Sequence, residues 1–163
     1  MGLADKEARQ AWRGHPEQGE VVEALDRAHA ERLRVIVEDH GWPDRSVVGS
    51  AGAQAAWLLV LHADHDPPFQ RRCLDLIQEA ADRGEADPRH VAFLTDRVLI
   101  HGGKPQRFGT QLRLREDEGR LAPILIDDPD GVDERRREVG LDPMEDSIRE
   151  AERAYGLLPT DAD

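Results

Sequence analysis

Apolar residues recur at helical spacing over most of this chain. Val22, Leu25, Leu33, Ile36 and Val37 place one apolar face on a helix predicted from about Glu20 to His40. Gly41-Trp42-Pro43 ends it, because Pro43 disfavours helical dihedrals at Trp42. Ser50 suits the cap of a second helix, Ala51 to about Asp64, whose AGAQAAWLLVLHA stretch is apolar on nearly every side. A helix with no polar face is expected at the buried centre of a domain. Pro67-Pro68 breaks the chain, and a third helix follows over about 68–83, closed by Arg83-Gly84. Asp87-Pro88 pairs a capping residue with proline at the first helical position, and opens a fourth helix to about Ile100.

The period then changes from helical to alternating. Gln106 to Arg115 and Arg120 to Ile126 read as two short strands around the turn Glu116-Asp117-Glu118-Gly119. Asp127 to Asp130 reads as a loop. Two further helices are predicted, Asp133 to Val139 and Pro143 to Tyr155. The expected fold is therefore mostly α, in the α+β class: a multi-helix domain with a short antiparallel β-hairpin near residues 106–126. With no internal repeat and no linker, residues 19–158 read as a single globular domain. Residues 1–18, broken by Gly14 and Pro16, read as loosely ordered, and 159–163 as a tail.

Composition narrows the function more than the fold. The 163 residues carry a formal charge of -12, which gives no overall field for a phosphate backbone and argues against nucleic acid as a partner. The basic clusters Arg71-Arg72 and Arg135 to Arg137 each sit among acids. No apolar run approaches the roughly 20 residues of a membrane span. The start MGLADKEARQ lacks the apolar stretch of a signal peptide, so the expected location is cytoplasmic. The one cysteine, Cys73, falls on the apolar face of the third helix and reads as a packed core thiol.

Candidate chemistry lies where polar residues occupy apolar surroundings, since an unpaired buried polar group costs about 1–3 kcal/mol. His62 ends the apolar helix and begins the string His62-Ala63-Asp64-His65-Asp66. Three roles are open to it: an acid or base near neutrality, a metal ligand shared with His65, or a core histidine bonded to a backbone carbonyl. No HExxH pattern supports a metal, and no cofactor is expected. His29 falls on the apolar face of the first helix with Asp26 one turn earlier, a spacing that allows a direct pair. His40, at the end of that helix, reads as a partner of the helix dipole.

Asp96 and Arg97 sit in a largely apolar helix, so each needs a partner or a cavity. Either they form structural ion pairs, or Asp96 orients His62 and Arg97 holds an anionic group. In the stretch Gln106 to Gln111, a period of two puts Gln106, Phe108 and Thr110 on one face and Arg107, Gly109 and Gln111 on the other. These amides and the hydroxyl could hold a polar ligand or form an exposed strand face. The charge runs Glu134 to Glu138 and Glu145 to Arg153 read as solvated helix faces.

An ordered series runs through the chain: His40-Gly41-Trp42-Pro43, Val48-Gly49, Ala56-Trp57, His62-Ala63-Asp64, Leu94 with Asp96-Arg97, Gly103-Lys104-Pro105-Gln106 and Gly109-Thr110-Gln111. It continues with Val132-Asp133, Arg135-Arg136 and Gly140-Leu141. The series resembles an uncharacterised bacterial domain family, a domain of unknown function, over about residues 22–145. The resemblance implies that His62, Asp64, Asp96, Arg97, Gln106, Thr110 and Gln111 are motif positions, and it implies no reaction. Phe108 stands where many relatives are expected to carry Tyr, so chemistry needing a phenol hydroxyl there is lost in this member.

Two functions are consistent with these residues. One is a cofactor-independent acid–base enzyme that performs hydrolysis, cyclisation or a related step on a small or peptide-like polar substrate. His62 would be acid or base, Asp96 or Asp64 its orienting carboxylate, and Arg97, Gln106, Thr110, Gln111, His29 and Asp26 the substrate contacts. The other is a non-catalytic ligand-binding or protein-interaction module.

Overall fold

Proline, glycine and capping residues set the ends of the helices. A computed structural model describes residues 16–157. Six α-helices and one two-stranded sheet lie in this span: α1 (Pro16–His40), α2 (Arg45–Leu61), α3 (Pro67–Asp82), α4 (Pro88–His101), β1 (Leu112–Arg115), β2 (Arg120–Pro123), α5 (Val132–Glu138) and α6 (Met144–Ala154). A 3₁₀ turn, Pro129–Gly131, precedes α5. Two units divide between Asp87 and Pro88. The reading of residues 1–18 as loosely ordered falls largely outside the described residues, as does the 159–163 tail. Pro16 itself opens α1 instead of breaking a helix, which suits its fixed φ. No described helix is long and apolar enough to cross a membrane.

In the first unit α1 packs on α2 and α2 on α3. α1 stops at Gly41, whose φ of 78° puts it in the left-handed region while its N–H donates to Val37 O. The helix therefore ends before Pro43 acts on Trp42. The buried stripe of α1 is Ala30, Leu33 and Val37; Ile36, expected on that face, is exposed. Inside α2, Gly49 leaves helical geometry at φ 74°, ψ 167°, a conformation essentially confined to glycine. Ser50 thus begins the apolar segment instead of capping it. The segment is not buried all round: Ala51 and Gln54 are exposed, while Ala56, Val60 and Leu61 are buried. The apolar stretch thus sinks into the core only at its C-terminal end.

Helix α3 has the clearest start signal. The Asp66 side chain accepts from Phe69 N at 3.1 Å, and proline occupies the first helical positions. Its buried face is Phe69, Gln70, Cys73, Ile77 and Ala80. Near the other end of the unit, Glu85 accepts from Ser46 N at 2.8 Å, and Arg83 pairs with Asp44.

The second unit contains α4, the sheet, α5 and α6. β1 and β2 pair antiparallel, with Leu112 opposite Pro123 and Arg115 opposite Arg120. Gly119, at φ 63°, closes the turn by donating to Arg115 O. The strands are shorter than the alternation predicts. Residues 106–111 leave the ladder, and Gln106 makes an isolated parallel bridge to Ile126. α6 packs on β2 and on α5.

Burial pushes the Cys73 thiol up to about 12, with Arg72 and Arg34 opposing. The native protein should therefore react with a disulfide reagent at pH 8 roughly a thousandfold more slowly than a free thiol, and fully once unfolded in guanidinium. Thiol release before unfolding would contradict the buried assignment. The Ser46 backbone bond holds the Glu85 carboxyl below its ordinary value. A depressed carboxylate stabilises the fold above its unfolded pKa, near 4.3, and that contribution is lost as pH falls through the folded value. The stability difference between wild type and Glu85→Gln should be present at pH 7 and shrink as the pH is lowered below the unfolded value, in urea titrations.

Candidate functional site

Among the described residues, one gathering of polar side chains lies in each unit. In the second unit the centre is Asp96, fully buried on α4. Its Oδ1 accepts from Arg107 N at 2.7 Å and Phe108 N at 3.0 Å. Its Oδ2 accepts from Thr110 N at 2.8 Å and the Thr110 hydroxyl at 2.9 Å. A carboxylate offered three backbone amides competes with the strand ladder for them, which is why residues 106–111 are a wrap and not a strand. The expected alternation of faces fails for the same reason: Gln106, Phe108 and Gly109 are all buried. Gly109 has a φ of 66°, and an added Cβ would run into the Met144 side chain and Ile126 Cδ1.

The other amides of this stretch serve the wrap as well. Gln106 Nε2 donates to Gln111 O at 3.0 Å and Ile124 O at 2.8 Å, and its Oε1 accepts from Gln111 N at 2.7 Å. Gln111 Nε2 donates to the Thr110 hydroxyl at 3.1 Å. Arg136 comes in from α5, 2% exposed, and donates to Phe108 O at 2.8 Å, to Asp142 O at 2.6 Å and to the Ser147 hydroxyl. Burial pulls its guanidinium below its ordinary value, while Asp133, Asp96 and Asp142 oppose the shift. Arg135 donates to Arg107 O at 2.9 Å and to Asp127 O at 2.7 Å.

The reading of Glu134 to Glu138 as a solvated face is therefore corrected at Arg135 and Arg136. The run Glu145 to Arg153 is corrected at Glu152, which is 1% exposed. Its Oε1 accepts from Leu121 N at 3.0 Å, tying β2 to α6. Spacing carried a signal in both cases: Arg136 lies one turn after buried Val132, and Glu152 one turn after Ile148.

The second gathering is in the first unit, around the loop that joins α2 to α3. His62 is the C-cap of α2, and its N–H donates to Leu58 O at 3.1 Å. With Asp64 and His65 it lines a cavity of about 330 Å³, whose other described walls are Glu23, Asp26 and Arg27 of α1. The lining carries three carboxylates, two imidazoles and one guanidinium, within the size range of small-molecule sites. Among the described residues, no three His, Cys, Asp or Glu side chains are grouped to hold a metal ion.

The loop is pinned from both sides. Asp66, besides capping α3, pairs with Arg34, whose guanidinium lies 4.6 Å from the Phe69 ring centre. Gln70 is fully buried, and its Nε2 lies 3.0 Å from Val60 O, 3.3 Å from Leu61 O and 3.2 Å from Asp64 Oδ1. The sequence reading missed Gln70, although it sits three residues before Cys73 and seven before Ile77 on the buried face of α3.

Of the residues singled out from sequence, His62, Asp64 and Asp26 meet at this cavity. His29 is not in its described lining, and its Nδ1 is buried with no hydrogen-bond partner among the described residues, so that atom does not pair with Asp26. Asp96, Gln106, Thr110 and Gln111 belong to the wrap of the second unit. Arg97 is half-buried on α4 beside Asp96.

The described residues form a mostly helical α+β fold. The chain matches the Family of unknown function (DUF6624) over residues 5–159, and it belongs to that family. Neither the curated proteins nor the solved structures contain a match to it.

Asp96→Asn keeps the shape of the side chain but turns one acceptor into a donor facing other donors. It should cost about 3 kcal/mol, read from urea unfolding. A loss below about 0.5 kcal/mol would show that the wrap does not depend on the carboxylate.

Proposed function

We propose that the cavity of the first unit is the active site of a cofactor-independent acid–base enzyme acting on a small or peptide-like polar molecule. The observation that carries this is the convergence of His62, Asp64 and Asp26 on one cavity, with a cation, Arg27, in the same wall. An imidazole has its ordinary pKa near neutrality, so it can take and return a proton under physiological conditions. In a hydrolysis, His62 takes a proton from water as its oxygen attacks the scissile carbonyl. It then returns that proton to the leaving group, so that water is added across the broken bond. Asp64 or Asp26 orients the imidazole and favours its transient positive charge. In this reading Arg27 holds an anionic group of the substrate. Asp96 serves the fold, because its carboxylate oxygens are engaged within their own unit.

The chain's charge of -12 suits a small ligand better than a nucleic acid. The proposed setting is the bacterial cytoplasm, in keeping with a single free and buried cysteine.

The test is a screen of peptides, amides, esters and cyclisable amides with the purified protein, repeated with His62→Gln. Turnover should fall about a hundredfold or more in the variant while its circular dichroism is unchanged. Turnover that survives His62→Gln would remove the acid–base role. Binding at the cavity without turnover in the wild type would instead assign the protein as a binding module.

A further inference from the structure

We infer that Gln70 is the positioning residue of the cavity: its buried amide fixes the loop that carries His62, Asp64 and His65. The inference rests on reading that cavity as the functional site. A glutamine on the buried face of α3 replaces an apolar residue, and a buried amide is retained where its hydrogen bonds are satisfied. Its two N–H bonds are shared among three oxygens. Two of these are carbonyls in the last turn of α2, of which Val60 O also accepts from Ala63 N at 3.0 Å. The third is the Asp64 carboxylate, which lines the cavity. One donor group therefore couples the end of α2 to a cavity carboxylate, at a point where a short loop has no regular structure of its own.

Gln70 shares the buried face of α3 with Phe69 and Cys73. The loop is thereby tied to the core of α3 and not only to its exposed first turn. Asp66 and Arg34 hold the far end of the loop, and Gln70 holds the end that carries His62 and Asp64.

Two variants separate positioning from packing. Gln70→Met keeps the length and volume but donates nothing. Gln70→Glu donates only when protonated, and when ionised it opposes two carbonyls and Asp64. The readout is the backbone NMR order parameter of Asp64 and His65, which needs no substrate. In wild type we expect about 0.85, the rigid value, and in Gln70→Met a fall toward about 0.6 in the loop alone. Gln70→Glu should be ordered at pH 5 and disordered at pH 8, a pH dependence that packing alone would not produce. If Gln70→Met does not fold, the pH dependence of Gln70→Glu decides.

A loop that stays ordered in Gln70→Met, or shows no pH dependence in Gln70→Glu, overturns the inference. So does a His62-dependent turnover whose kcat is unchanged in Gln70→Met, and that result leaves the cavity reading standing. If the wild type has no His62-dependent turnover, the enzymatic reading of the cavity fails, while the order measurement still decides whether Gln70 holds the loop.

Discussion

A carboxylate removed from water must be surrounded by donors, and Asp96 obtains them from the backbone of residues 107–110. That requirement bends the chain between α4 and β1 into a wrap and withdraws its amides from the sheet. It also turns the Phe108 carbonyl toward Arg136, whose other bonds reach Asp142 and Ser147. One buried negative charge thus organises the route of the chain from α4 through α6. The guanidinium of Arg136 is held in the same network and offsets part of that charge. Gly109 fits this route because the positive φ and the nearness of Met144 and Ile126 leave no room for a side chain.

The first unit uses the same device with a neutral group. Gln70 is buried among apolar residues and collects acceptors where Asp96 collects donors. In both units a buried polar side chain on a helix helps to tie down an irregular loop. The difference matters for function. The loop around Asp96 turns its polar atoms inward and consumes them. The loop held by Gln70 leaves His62, Asp64 and His65 lining a cavity. Buried polar motifs can therefore mark scaffold as readily as chemistry, and only their remaining access to a cavity separates the two.

Much of the candidate site was legible in the sequence. His62 stands out because it ends an apolar run, and Asp64 because it lies two residues on. Asp26 entered through a spacing argument about His29, which the structure does not support at His29 Nδ1. Glu23 and Arg27 escaped notice because an exposed charge on a helix carries no signal of what it faces. Gln70, Arg136 and Glu152 escaped because polar residues in polar-rich helices read as solvated unless the buried face is traced residue by residue.

The elements were legible from the chain alone: six helices, the stop at Gly41, the starts at Pro67 and Pro88, and the hairpin turn at Gly119. These depend on local dihedral preferences and on periodicity, which neighbours in the chain decide. Tertiary structure alone decided the path of residues 106–111 and the burial of Gln70, Arg136 and Glu152. It also decided which polar groups line a cavity. Those outcomes depend on which distant side chain satisfies each donor or acceptor, and no local pattern carries that pairing.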